Sequence, residues 1–281
     1  MTDRDRPRRL TGARARARFL VALAIASAAV LAPVGAAGRE KPAADCCQVH
    51  WGYEDPARWP SLSPCYAPCD GGEQSPIDIE RPETRDLPPL EFSYGVLHEL
   101  AVENNGHTVE AKVSAQDAAD KVTLRLQGSD YRLLQFHFHA PSEHRVAGEE
   151  VPIELHLVHS GPGGRLAVVG VFIREGAPNA ELSKIWSHLP KRPGQETEVH
   201  DFDLRGLLPK SLASYRYAGS LTTPACGQGV QWIVLARPLT LAAAQIDDFQ
   251  RIYSGKLFPD GNRRPLQPLN GRLVATDAQP R

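Results

Sequence analysis

Three histidines on two short stretches carry the most specific chemistry in this chain. Gln135-Phe136-His137-Phe138-His139 sets two imidazoles two residues apart, and Ile153-Glu154-Leu155-His156-Leu157-Val158 offers a third. Successive side chains of a β-strand point to opposite faces, so His137 and His139 share one face while Phe136 and Phe138 turn to the other. If the two stretches pair side by side, three imidazole nitrogens converge. Three histidines with a fourth position left open describe a catalytic zinc, not a structural one. Gln135 and Glu154 each stand two residues before a histidine, hence on the same face. An amide or carboxylate oxygen there can accept the imidazole's other N–H and fix its tautomer.

Further motifs stand in fixed order around these: Trp51-Gly52-Tyr53, Gln74-Ser75-Pro76-Ile77-Asp78-Ile79, Asn104-Asn105-Gly106-His107, Pro141-Ser142-Glu143-His144, Gly219-Ser220-Leu221-Thr222-Thr223-Pro224 and Asn262-Arg263-Arg264-Pro265-Leu266-Gln267-Pro268-Leu269. Nearly everything after residue 50 resembles an α-class carbonic anhydrase of the bacterial secreted or periplasmic type. A rival reading, the cupin motif in His137-x-His139-x-x-x-Glu143, wants glycine where Tyr131 and Glu150 stand, and no second cupin box follows. A non-catalytic recognition module, the other alternative, would be expected to have lost metal ligands, and none is lost.

The resemblance implies zinc-dependent, reversible hydration of carbon dioxide to bicarbonate and a proton, by attack of zinc-bound hydroxide on CO2 and export of the proton through a histidine. It makes His137, His139 and His156 the zinc ligands and assigns the backbone carbonyl of Asn262 to orient His139. Thr222 and Glu143 would aim the nucleophile; the carboxylate can only accept, so the Thr222 hydroxyl donates to it. His107 matches the proton-shuttling residue, with Tyr53 and Asn105 ordering the intervening water. Val158, Val168, Leu221, Val230 and Trp232, with Thr222 and Thr223, match the CO2-binding positions; for Val158, strand alternation from His156 gives the same face independently. Glu110 stands where related enzymes often carry an amide, and a carboxylate there disfavours anions. His144 and His159 read as structural, His144 as a brace for Glu154, while His50, His98, His188 and His200 match no chemical role.

The resemblance also pairs Cys69 with Cys226, a disulfide that would brace the loop carrying Thr222. Cys46, Cys47 and Cys65 remain, an odd number. One of the adjacent pair is expected to bond Cys65, and the other either joins two chains into a homodimer or stays free.

The elements that position these residues read as one domain. Seven arginines between Arg4 and Arg18 precede an apolar run from Phe19 to Ala32 and small residues through Ala36 and Ala37. Residues 1–37 thus read as a signal peptide, 38–50 as a linker and 51–281 as the catalytic domain, exported to the periplasm or beyond, with no stable membrane anchor after cleavage. The chain holds 32 basic and 33 acidic residues; without the leader's 7 and 2 it keeps 25 and 31, a net of about −6. A mildly acidic domain is a poor partner for nucleic acid. Apolar segments such as Val122–Leu126, Leu166–Ile173 and Val230–Leu235 have β composition, with 24 prolines and 23 glycines to break them. Ala180–His188 and Leu241–Tyr253 read as helices. The fold class expected is mainly β: a large, twisted, mostly antiparallel sheet with short peripheral helices.

Overall fold

Alternation along β-strands dictates the architecture, because each central strand presents one face to a large apolar core and the other to the histidines. The computed structural model describes residues 49–114 and 122–278, which fall in one compact unit from Pro42 to Arg281. The expected leader, nearly all of the linker, Cys46 and Cys47 lie outside the described residues. In chain order the strands are β1 Asp78–Ile79, β2 Glu83–Thr84, β3 Glu91–Ser93, β4 Val96–Asn104, β5 Val109–Lys112, β6 Thr123–Leu126 and β7 Ser129–His139. There follow β8 Arg145–Val146, β9 Ile153–Ser160, β10 Leu166–Glu175, β11 Glu196–Asp203, β12 Ser214–Ser220, β13 Gln228–Leu241 and β14 Ala275–Thr276. The helices are α1 Trp59–Leu62, α2 Ala180–Ser187 and α3 Ala243–Ile252.

Twelve strands form one sheet with the path β11-β4-β5-β7-β9-β10-β13-β12-β14-β2, β3 and β6 joining beside β7. Within it only β10–β13 and β14–β2 run parallel. The rest is antiparallel, as the sequence implies. Phe136, Phe138, Leu155, Leu157, Val169, Val171, Ile233 and Leu235 all point into the larger core cluster. Helices α2 and α3 cover it with Leu182, Ile185, Ile246 and Phe249. Burying each such side chain contributes about 1.5–3 kcal/mol, and most of these are wholly inaccessible to solvent. Asn179 caps α2 by accepting from the Glu181 and Leu182 N–H groups, which satisfies two otherwise orphaned donors.

One irregularity decides where the histidines go. In the first half of β7 the odd-numbered Tyr131 and Leu133 enter the core, whereas in the second half the even-numbered Phe136 and Phe138 do. The register against β9 shifts between Leu133 and Gln135. Leu134 is the extra residue, a bulge 37% exposed. Without it, unbroken alternation would carry His137 and His139 into the apolar core.

Candidate metal centre

Strand pairing brings the three histidines together. His137 on β7 lies directly opposite His156 on β9, and His139 opposite Glu154, so all share the face away from the large core. Their nitrogens form a group within 4.8 Å of one another. Each ring is held by its outer nitrogen. His137 Nδ1 donates to Gln135 Oε1 at 2.8 Å, His139 Nδ1 to the Asn262 carbonyl at 2.6 Å, and His156 Nε2 to Glu154 Oε1 at 2.9 Å. Nε2 of His137, Nε2 of His139 and Nδ1 of His156 are left over, and the buried His139 Nε2 has no partner among the described residues. Burial, with the neighbouring histidines, holds His137 well below the usual imidazole range; burial lowers His139 too, against the opposing pull of Glu143. Neutral rings with one free nitrogen each are what a metal ion requires. The donor set therefore fits zinc: three nitrogens, outer atoms braced, one position open.

Glu154 is the hub of the brace. Its Oε1 also accepts from His144 Nδ1 at 2.7 Å, and its Oε2 accepts the N–H groups of Glu143 and His144. Although burial alone would raise its pKa, His144 and His156 bring this carboxyl well below the usual range. His144 Nε2 in turn accepts from the Tyr217 hydroxyl at 2.6 Å, which meets Ser75 Oγ at 2.8 Å. His144 thus braces Glu154, as the sequence suggests. Gly170, opposite His156 on β10, makes room for this hub, since a Cβ there would stand 2.9 Å from Glu154 Oε1.

Glu143 lies beside the cluster, its Oε2 3.9 Å from His156 Nδ1. Its Oε1 accepts the backbone N–H of Arg264 at 2.8 Å, whereas the buried Oε2 has no partner among the described residues. The expected hydrogen bond from Thr222 is therefore not made, although Thr222 is also buried. Burial pushes the Arg264 guanidinium down to about 10, with Glu143 opposing. It donates to Gln74 Oε1, Ser75 O and Cys69 O. Arg264 lies inside a recognised motif, yet its role was invisible there, because it acts through a backbone N–H on a residue 121 positions away.

Thr222 and Thr223 sit in the connection between β12 and β13, and Cys69–Cys226 ties that connection to the N-terminal segment. Cys65 is disulfide-bonded as well. Val158, Val168, Val230 and Trp232 form a single apolar cluster with Leu221 packed against it, next to the histidines: the Trp232 ring lies 4.8 Å from that of His156.

His107 is half-buried and stacks on Trp51 with ring centroids 3.8 Å apart and planes 10° from parallel. Burial and the neighbouring His50 lower its pKa, against Glu54. His50, which matched no chemical role in the sequence, lies 6.3 Å from it. Asn105 has a structural task in the turn before His107. Its side-chain oxygen accepts the N–H groups of His107 and Thr108 and so closes the turn, leaving only the amide nitrogen for water. The Tyr53 hydroxyl is buried without a partner among the described residues, and burial, with Glu143 nearby, holds its pKa well above the usual phenol range. Asn262 clips several pieces together. Its side chain donates to the carbonyls of His107 and Phe138 and accepts from Ala140 N–H, while its own carbonyl holds His139.

Braced histidines on adjacent strands of a large mixed sheet, beside a buried carboxylate and an apolar cluster, are positioned to bind a metal ion. The profile of the eukaryotic-type carbonic anhydrase family matches residues 54–278, and the chain belongs to that family. It is 40% identical over 231 residues to a carbonic anhydrase of Pectobacterium atrosepticum, covering 80% of this chain and 90% of that one. Against the Klebsiella pneumoniae carbonic anhydrase the identity is 42% over 230 residues with the same coverage. The solved α-carbonic anhydrase of Thermovibrio ammonificans superposes with a TM-score of 0.73 at 40% identity, over 81% of this chain and 99% of that one. The protein is thus a carbonic anhydrase, and the reaction of its family is the reversible hydration of CO2.

Proposed function

We propose that the chain performs this reaction at a zinc ion held by His137, His139 and His156. The observation that carries the proposal is the convergence of three imidazole nitrogens, each ring fixed by a different acceptor on its other side. Zinc in such a site brings bound water to a pKa of about 7, a value known for carbonic anhydrases as a class, and so supplies a nucleophile at neutral pH.

The protein's own residues do the rest. Glu143, fixed through Oε1 by Arg264, keeps its unpaired Oε2 beside the histidines, and the buried Thr222 hydroxyl orients the attacking oxygen. Val158, Val168, Leu221, Val230 and Trp232 give CO2 a surface that holds no water tightly, with Thr222 and Thr223 at its polar edge. His107 carries the proton outward, and burial, with His50, lowers its pKa from the ordinary imidazole value, which favours release of the proton to solvent. Tyr53 and the Asn105 amide nitrogen order water along that path.

Export to the periplasm or the medium is part of this reading. It rests on the arginine-rich, apolar leader of residues 1–37 and on the Cys69–Cys226 disulfide, which suits an oxidising compartment. Of Cys46, Cys47 and Cys65, one cysteine is left over and makes a disulfide-linked homodimer available; non-reducing electrophoresis of the mature protein tests it. Among the described residues no helix is long and apolar enough to cross a membrane.

The decisive experiment is stopped-flow CO2 hydration before and after zinc is stripped and restored. Turnover that vanishes and returns with one zinc per chain is the expected result. Stoichiometric zinc without turnover would overturn it.

A further inference from the structure

We propose that Glu110 is a specificity-determining residue of the metal cavity that weakens the binding of anions at the open position. The inference rests on the zinc reading above. Strand β5 pairs with β7 so that Glu110 lies directly opposite His137 and Lys112 directly opposite Gln135. Residues opposite one another across a strand pair share a face, so both project on the side of the sheet that carries the zinc ligands.

The charges along this wall do not cancel. Lys112 Nζ is 2.8 Å from Glu103 Oε2 and 3.6 Å from Glu110 Oε1. Glu103 stands opposite Glu110 on β4, and Glu196 on β11 stands opposite Glu103. Three carboxylates thus follow one another across the sheet, with a single ammonium between the inner two. Lys112 is the most exposed member of its trio, with 57% of its side chain accessible against 17% for Glu110. Water screens the cation more than it screens the carboxylate nearest the ligand strand. On the other side of the ligand strands along the sheet, Val158, Val168, Val230 and Trp232 carry no charge at all. Neutral CO2 can approach the open position without electrostatic cost. Bicarbonate, or any other small anion, meets a field directed against it.

While the ratio of kcat/KM in the two directions stays fixed by the overall equilibrium, a carboxylate that destabilises bound bicarbonate more than the transition state raises both KM and kcat for dehydration. It also speeds release of the product of hydration. The test uses azide as probe and the cobalt-substituted protein, whose visible spectrum reports anion binding independently of turnover. Glu110→Gln is expected to tighten azide about 5-fold, the size of one partly screened charge one strand-spacing away. Lys112→Met, which removes the screening cation, is expected to loosen azide, and Glu110→Asp to stay close to the parent. Both shifts should shrink at high salt.

Unchanged azide affinity in Glu110→Gln, or shifts of the same sign in Glu110→Gln and Lys112→Met, would overturn the proposal while leaving the zinc reading intact. A parent protein that takes up neither zinc nor cobalt would overturn both.

Discussion

The side-chain oxygen of Gln135 is a small feature with a large expected effect. It fixes the His137 tautomer at 2.8 Å; Gln135→Ala should weaken zinc about 10-fold or more in competition with a chelator, with the fold unchanged by circular dichroism. Such partners were legible in the sequence because residues two apart on a strand share a face. Asn262 was not legible from spacing, since it reaches His139 through a backbone carbonyl 123 positions away, and only the family resemblance pointed to it. His50 was missed altogether because its neighbour is set by tertiary packing. Burial disfavours a second proton on His107, and the neighbouring His50 acts in the same direction. NMR titration should therefore place the His107 pKa below 6.5, and His50→Ala should raise it. A downward shift in that variant would mean that His50 supports protonated His107 instead.

At the scale of elements, β9 and β10 were easy to read because every second residue is an aliphatic of the large core. The two longer helices were also found within two residues of their ends, Ala180–Ser187 and Ala243–Ile252. What alternation could not show was the bulge. The motif Gln135–His139 gives the right faces locally, but only the register shift at Leu134 reconciles it with Tyr131 and Leu133 on the core side. Gly170 escaped notice for a related reason, as nothing on β10 itself announces the carboxylate that crosses it. Gly170→Ala would press a methyl group on Glu154 Oε1 and turn His156. The expected result is at least tenfold weaker zinc binding with a smaller loss of stability. Unchanged zinc affinity would show that the hub can shift without cost.

Across the whole molecule, acid acts on a residue remote from the chemistry. His159 is fully buried in the core, accepts the Tyr94 hydroxyl at 2.7 Å or donates to it, and has a pKa lowered by burial to about 4. The unfolded chain takes up this proton near pH 6.5, whereas the folded chain resists until about 4. Stability is therefore fully present above the unfolded pKa and declines as pH falls between the two values. From pH 7 to 5 this group alone should cost about 2 kcal/mol, measured by urea unfolding of the metal-free protein, and His159→Gln should flatten that slope. The Cys69–Cys226 bond spans 157 residues; replacing both cysteines by serine should lower stability by about 2–5 kcal/mol. The Asn262 clip reaches across the molecule too, and it bears on the order in which a chain becomes competent. A polypeptide that emerges from the ribosome or a translocation channel amino-terminus first delivers all three histidines before residue 262. Until residue 262 follows, the ring of His139 has no carbonyl to lean on. Tight capture of a metal ion is thereby coupled to delivery of Asn262, so that a chain truncated or stalled before it holds its ion poorly.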